Sequence, residues 1–478
     1  VRLLRPLLTG LLMAACTVPF GWSFLLPLPL ALFFDHLAQA PSARRAARRA
    51  LWTGTAFFAL HLIWLPLSFS QLFGAWFAFL FPLLWLIEGA MWALLAWLVA
   101  LSTSRPARRI WLLAFGWILM EWLRHLGPLA FPWGTLGYAL LPTPLIQTAD
   151  LGGVLLSSLL VTLLAAALVR AARGELRPLA LTVLLWGGGL AYGLTRRPAE
   201  GTPKTALLVQ GNIDPLGKAQ ATVRPLPTYL ALSERARPGQ LVIWPESAVA
   251  EWELGPSAPT PLISGVGVQG AFDPLTGQIY NANRVLAWDG RSVSKYDKSY
   301  LVPFGERFPL RHEADFIYDP IFKAMGFPPL EGYRPDSSFH PLELRGERYA
   351  AYVCYESVFP EVVRSMVAGG ADVLVNVSND GWYRVGSGIE QHFQMGRVRA
   401  IETRRYLLRA GNIGVTAVID DLGEVRSRLP LNVPDTLEAA YLPLQGQTPF
   451  VRFGDAPVVI VSVLGIGVTL LRRRRYDF

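Results

Sequence analysis

Residues 178–210 read PLALTVLLWGGGLAYGLTRRPAEGTPKTALLVQ, and this junction divides the chain. Up to Thr195 the run is apolar and uncharged, close to the roughly 20 residues that a bilayer-spanning helix needs. Arg196 and Arg197 close it. From about Thr205 the pattern changes to short apolar runs separated by turn residues, beginning with Ala206-Leu207-Leu208-Val209-Gln210, which reads as a strand. A multi-pass helical part before the junction and an α/β part after it are therefore expected.

Working back from the junction, apolar runs occur near 6–20, 22–40, 51–70, 74–100, 110–127, 150–170 and 178–195, with an eighth near 456–471. Basic residues mark every second connection. Arg2 and Arg5 precede the first run, Arg44, Arg45, Arg48 and Arg49 follow the second, and Arg105, Arg108 and Arg109 follow the fourth. Arg170, Arg173 and Arg177 follow the sixth, and Arg472 to Arg475 the eighth, whereas Arg124, Arg196 and Arg197 are the exceptions on the alternate side. Arginine-rich connections stay in the cytoplasm. About eight spans, both termini cytoplasmic and the 204–447 stretch outside follow as expectations. The expected division is 1–203 with seven helices, 204–447 as the catalytic domain, and 448–478 as a last helix with a basic tail.

Composition supports a membrane protein. Of 478 residues 52% are hydrophobic and 17% charged, below the roughly 25% charged residues of soluble domains. Residues 1–200 hold 15 arginines, no lysine and 6 acids, while the remainder balances 29 bases against 29 acids, so the net +9 sits in the apolar half. Charge that punctuates apolar runs is not the basic surface of a nucleic-acid binder. Two cysteines, Cys16 and Cys354, exclude a disulfide scaffold. Leu12 to Cys16 has the form of a lipoprotein cleavage box, but further spans favour a permanent anchor. Glu88 and Glu121 lie in apolar runs, and without inverted-repeat symmetry they are slender grounds for a transporter.

Beyond the junction, Leu241 to Trp244, Leu262 to Val266, Ala350 to Cys354, Asp372 to Val377 and Gly414 to Ile419 read as strands. Arg284 to Ala287 and Ser292 to Lys295 flank Asp289-Gly290, a hairpin turn pair. Helices are expected over Glu361 to Ala368 and Gln391 to Leu408. Alternating strands and helices over this length describe one α/β domain.

Six dispersed histidines lack metal-ligand spacing, and Gly265-x-Gly267 is too short for a dinucleotide fingerprint, so neither metal nor cofactor is expected. Cys354 ends a strand with a helix a few residues on, where a helix dipole favours the thiolate. Glu246 follows the apolar strand Leu241 to Trp244, a placement suited to a general base. Lys298 stands out in a chain with 39 arginines and 5 lysines, and a compact ammonium suits an oxyanion slot. A Glu, a Lys and a Cys at separate strand ends compose a base, an oxyanion stabiliser and a nucleophile.

The runs Val209 to Ile213, Trp244-Pro245-Glu246-Ser247, Tyr296-x-Lys298, Leu301 to Glu306, Cys354-Tyr355-Glu356, Asn376 to Trp382 and Gln391-His392 occur in an order that resembles the apolipoprotein N-acyltransferase family. The resemblance covers essentially the whole chain. It implies a multi-pass α-helical membrane domain of eight spans in the cell inner membrane plus an extramembrane nitrilase-like αββα sandwich on the periplasmic side. It also implies a catalytic triad of Glu246, Lys298 and Cys354, supporting roles for Glu306, Tyr355 and Glu356, an oxyanion contact from the Tyr355 backbone N–H, and substrate binding by Asn281 and Trp382. The reaction it implies has two halves. Glu246 deprotonates Cys354, the thiolate takes the sn-1 acyl chain of a phospholipid, and the α-amine of a diacylglyceryl apolipoprotein then attacks the thioester. Implied partners are the phospholipid acyl donor, the lipoprotein acceptor and the membrane, with no nucleic acid and a monomeric enzyme. Two departures from the family pattern stand out: Lys218 is followed by Ala219 rather than an aromatic residue, and Tyr383-Arg384 replaces the usual Phe-Gly after Trp382.

Three other readings stay open from residues alone. One is a membrane-tethered amidase with the same triad, another a transporter or receptor with a ligand-binding outer domain, and the third a Cys-His enzyme using His392. Residues 316–330, apolar with three prolines, read as a loop: either core packing or a lid dipping into the outer leaflet.

Overall fold

The computed structural model describes residues 3–17, 22–219, 222–272, 279–327 and 330–471. Arg2 and Arg472 to Arg475, part of the basic pattern, lie outside the described residues. The chain forms two compact units: Val1–Arg196 with Val385–Gln394 and Arg452–Phe478, and Arg197–Arg384 with Met395–Val451.

The first unit is helical. Among the described residues, three of its helical stretches are long and apolar enough to cross a membrane: Ala75–Ser102, Pro144–Ala171 and Leu176–Thr195. Ala43–His61 and Trp64–Phe73 add a fourth if counted as one span bent by 53°. Leu4–Ala15, Ser23–Ala38 and Ala456–Leu471 are shorter apolar helices. Pro106–Arg124, expected as the fifth span, carries Arg108, Arg109, Glu121 and Arg124. Its charges have partners inside the unit: Arg124 pairs with Glu88 at 2.9 Å and donates to the carbonyls of Phe131 and Trp133. Glu121 accepts from Trp117 Nε1 at 2.9 Å and the Leu136 amide at 2.8 Å. Both carboxylates that raised the transporter reading are thus tied into helix packing. Gln391 serves the same unit, accepting from the indoles of Trp64 and Trp133 at 2.9 Å each and donating to the His61 carbonyl.

Among the described residues, the second unit holds two six-stranded sheets. Their strands are β1 (Lys204–Gln210), β2 (Leu241–Ala250), β3 (Leu262–Phe272), β4 (Ile279–Trp288), β5 (Ser292–Asp297), β6 (Leu342–Leu344), β7 (Glu347–Val353), β8 (Val373–Ser378), β9 (Leu407–Gly411), β10 (Ala417–Ile419), β11 (Val425–Arg428) and β12 (Asp435–Tyr441). The orders are β12-β1-β2-β3-β4-β5 and β11-β10-β9-β8-β7-β6. Each sheet has three parallel central strands, β1-β2-β3 or β7-β8-β9, flanked by two antiparallel strands on one side and one on the other. The central strands are nearly continuous in buried apolar residues, as strands covered on both faces must be. The sheets face each other through β2 against β8 and β9, with the helix Leu226–Ser233 on the far side of the first sheet and Pro360–Ala368 on that of the second. This is the expected two-sheet nitrilase-like sandwich. Tyr229, on the helix Leu226–Ser233, packs against Trp244 of β2 with tilted rings 5.4 Å apart.

Two local expectations change. The helix expected to reach Leu408 ends at Thr403, where Arg404 turns to φ +51° and releases the chain into β9. Most of the expected 316–330 loop is helical, from Asp315 to Ala324, despite Pro320. Tyr318 and Phe322, four residues apart, pack on Phe308 from one face, while Phe316 and Ile317 point outward. Pro328 and Pro329 of that segment lie outside the described residues.

Candidate active site

Open α/β sheets bind ligands beyond the carboxyl ends of their parallel strands. Glu246, expected just after a strand, lies inside β2 where its pairing with β3 is interrupted, and Cys354 immediately follows β7. Lys298 follows β5, which runs in the same direction as β3 because two antiparallel pairings separate them.

Glu246 occupies a break in the β2–β3 register between Trp244 and Val249, and Ser247 beside it has φ +45°. This excursion presses on β3: a Cβ at Gly265 would sit 2.6 Å from both Glu246 Cα and the Pro245 carbonyl oxygen. Glycine at 265 therefore serves the backbone that carries Glu246, not a nucleotide phosphate. Lys218 supports the same bend by donating to the Ser247 carbonyl at 2.7 Å. Burial pulls its ammonium down to about 8 against the opposing pull of Glu246.

The three expected triad residues converge, each at most 7% exposed. Lys298 Nζ lies 2.8 Å from Glu306 Oε1 and 3.5 Å from Glu246 Oε1. Burial opposes its charge, yet Glu306 and Glu246, with Cys354, outweigh it and hold the ammonium above its ordinary range. Glu306 is fixed in turn by the Val302 amide at 2.8 Å. Asn283, which the sequence reading did not select, donates to Glu246 at 2.7 Å and to Glu306 at 3.3 Å. Its carbonyl also accepts from the Lys298 amide at 2.8 Å. Asn281, two positions earlier, instead accepts from the Gly270 amide at 3.0 Å.

Cys354 has φ +46°, a strained strand-to-turn elbow that aims its side chain out of the ladder. It begins the short turn of helix Cys354–Val358. The sequence suggested a thiolate favoured by a helix dipole, but burial first and then the Glu246 charge push the thiol well above its usual range, so the resting form is neutral. Lys298 and a hydrogen bond with Ser378 act in the opposite direction. Glu356 joins the two sheets' contributions: it accepts from Tyr296 Oη at 2.7 Å, from the amides of Ser299 and Tyr300 at 2.8 and 3.2 Å, and from the Val353 amide at 2.9 Å. The segments carrying Lys298 and Cys354 thus share one carboxylate. Tyr355 lies buried edge-on against Phe359 at 5.1 Å.

Trp382 ends the turn Asp380–Trp382, partly exposed. Tyr383 follows, with its phenol held well above the ordinary range by burial and by Cys354, Asp380, Tyr355 and Glu246 nearby. Arg384 fastens this departure from the family pattern, donating to the Gly381 carbonyl at 3.0 Å and pairing with Asp214.

Two β-rich layers with a Cys, a Glu and a Lys at their shared strand ends define a carbon–nitrogen hydrolase type of unit, and the carbon-nitrogen hydrolase family model matches residues 206–442. The model for the apolipoprotein N-acyltransferase N-terminal domain matches residues 9–167. The apolipoprotein N-acyltransferase of Azotobacter vinelandii is 35% identical, with 98% of this chain and 95% of that protein covered. The one from Chromobacterium violaceum is 34% identical, with 98% and 94% covered. The chain belongs to the apolipoprotein N-acyltransferase family. Among solved structures, an amidase from Nesterenkonia sp. is similar over 55% of this chain and 98% of its own, at 16% identity and a TM-score of 0.37.

Proposed function

We propose that this protein moves an acyl chain from a membrane phospholipid to the N-terminal amine of a diacylglyceryl apolipoprotein through a thioester on Cys354. The observation that carries the proposal is the convergence of Cys354 with Glu246 and Lys298, in a chain that aligns with its named relatives across both units. Glu246 takes the thiol proton, the thiolate attacks the ester carbonyl, and Lys298 with the Tyr355 N–H holds the oxyanion. Lysophospholipid leaves with the proton from Glu246. The lipoprotein amine then attacks the thioester, Glu246 accepts its proton, and the thiolate departs. Glu306 keeps Lys298 charged, Glu356 sets the distance between Lys298 and the nucleophile, and Asn281 and Trp382 contact substrate.

The finer topology belongs to the same reading: about eight spans in the inner membrane, both termini cytoplasmic and residues 204–447 periplasmic. Alternating basic connections support it. A monomer suffices, since one chain supplies Glu246, Lys298 and Cys354. A membrane-tethered amidase is the second reading, favoured by the carbon–nitrogen hydrolase match alone. Mass spectrometry of a client lipoprotein N-terminus, with and without this protein, separates them. N-acylation dependent on the protein is expected; release of free fatty acid or ammonia without N-acylation would favour hydrolysis.

A further inference from the structure

Three buried polar residues of the second sheet stand behind Cys354, apart from the charges of the first sheet. Ser378 ends β8, Asp380 follows two residues later, and Arg409 lies on the adjacent β9; all three are shut off from solvent. Arg409 donates to Asp380 Oδ2 at 2.8 Å, to Ser378 Oγ at 3.1 Å and to Asn376 Oδ1 at 2.5 Å. The Ser378 hydroxyl donates to the other Asp380 oxygen at 2.8 Å. An Asp380 carboxylate oxygen and the Cys354 sulfur lie within 4.8 Å of each other, and Ser378 also hydrogen-bonds Cys354. Room for Asp380 comes from Gly414, at φ +124°, where a Cβ would sit 2.4 Å from Asp380 Oδ2.

A hydroxyl has one proton to give. While Cys354 is a thiol, Ser378 spends it on Asp380, and the S–H can donate to the serine oxygen. Once Glu246 has taken the thiol proton, the sulfur is purely an acceptor. We propose that Ser378 is a switchable donor that turns its hydroxyl from Asp380 to the Cys354 sulfur when the thiolate forms, with Asp380 and Arg409 as positioning residues that hold it otherwise. The hydroxyl keeps its own proton throughout, and no bond to its oxygen is made or broken. The contact gains strength only while the sulfur is charged, on attack at the ester and again when the amine expels it, so it favours the charged state selectively. The two neighbours pull the thiol in opposite directions: the Ser378 hydrogen bond lowers its pKa and the Asp380 charge raises it. Glu246 and Lys298, which also face the sulfur, stay unchanged in both variants below.

The inference rests on Cys354 as the acylated residue, but its test reads the thiol directly and needs no lipid. The full-length protein in detergent is treated with iodoacetamide at a fixed mildly alkaline pH. Mass spectrometry then follows the Cys354 peptide, distinguishing it from Cys16, while thermal unfolding is recorded for each variant. Ser378→Ala is expected to alkylate about tenfold more slowly, the effect of losing a hydrogen bond to a charged group, and to melt somewhat earlier because buried Asp380 and Arg409 each lose a partner. Asp380→Asn is expected to alkylate faster than wild type, although it melts earlier because the buried Arg409 loses its ion pair. Opposite signs are the signature, since packing damage moves both variants the same way. Wild-type alkylation in Ser378→Ala, or parallel slowing in both variants, would overturn the proposal. Ser378→Ala removes one oxygen and adds no atom, so it decides alone if Asp380→Asn does not fold. Failure of Cys354 to become acylated would sink the acyl-transfer reading while leaving the alkylation result intact.

Discussion

The two sheets repeat one strand plan and put different chemistry at its end. The first sheet supplies charge: Glu246, Lys298 and Glu306, cross-linked by Asn283. The second supplies a neutral thiol backed by a buried Arg409–Asp380 ion pair that holds Ser378. In the proposed scheme, such a division lets a thiol buried among carboxylates stay protonated until Glu246 on the opposite sheet takes its proton. Glu356 ties the halves together by accepting from residues near Lys298 and from the strand leading into Cys354.

Substitutions at the two strand ends sharpen that contrast. Cys354→Ala removes the only nucleophile the scheme uses, so lysophospholipid release should fall by about 10⁴-fold or more. Comparable loss in Cys16→Ser with activity retained in Cys354→Ala would reverse the assignment. Lys298→Arg keeps the charge but replaces the compact ammonium between Glu246 and Glu306 with a planar fork, and about a 10²-fold loss is expected. Substantial turnover there would refute the oxyanion role. Glu356→Gln leaves the chemistry in place and loosens the link between sheets. Its unfolding free energy should drop by about 2 kcal/mol, read from denaturant unfolding, and turnover per folded molecule by about tenfold. An unchanged rate would make Glu356 a purely structural residue.

The smallest effect on turnover is expected from the helix Asp315–Ala324, whose substitutions act on stability. Phe322 is packed against Phe308 and Tyr318, whereas Phe316 is 73% exposed. Phe322→Ala should destabilise the unit by about 3 kcal/mol, and Phe316→Ala by less than about 0.5 kcal/mol. Slower acyl transfer in Phe316→Ala, at unchanged thermal stability, would mean that the outward face engages lipid. Equal stability losses in the two variants would contradict the packing described.

Much of this architecture could be read from the sequence, for identifiable reasons. Cys354 follows an apolar strand, Glu246 stands just past the apolar run Leu241 to Trp244, and Lys298 follows the polar strand β5 but is marked by the scarcity of lysine; all three also sit in recognisable runs, so a shared site was inferable. Asn283 was not: Asn281 and Asn283 share a face of one strand, and only the burial beside Glu246 distinguishes them. The Ser378–Asp380–Arg409 group was also hidden. Arg409 sits in a short apolar run, and it is the β8–β9 register, with Asn376 opposite Arg409, that brings its guanidinium to Asp380. For residues 316–330 core packing was only one of two alternatives, because Pro320 obscured a four-residue spacing that the helix carrying Tyr318 and Phe322 nonetheless uses. In the helical unit, hydropathy found the apolar runs. It could not foresee that the bend after His61 would break one of them, or that Arg124 and Glu88 would meet within another pair.

The central claim is that the thiol of the second sheet becomes acylated under control of the charges on the first. It is tested most directly by incubating the full-length protein with phospholipid and no lipoprotein acceptor, then measuring the mass of the Cys354 peptide. An added acyl mass on Cys354, removed by neutral hydroxylamine and absent in Glu246→Gln, is the predicted result. Acylation of another residue, or an equal yield on Cys354 without Glu246, would contradict the account.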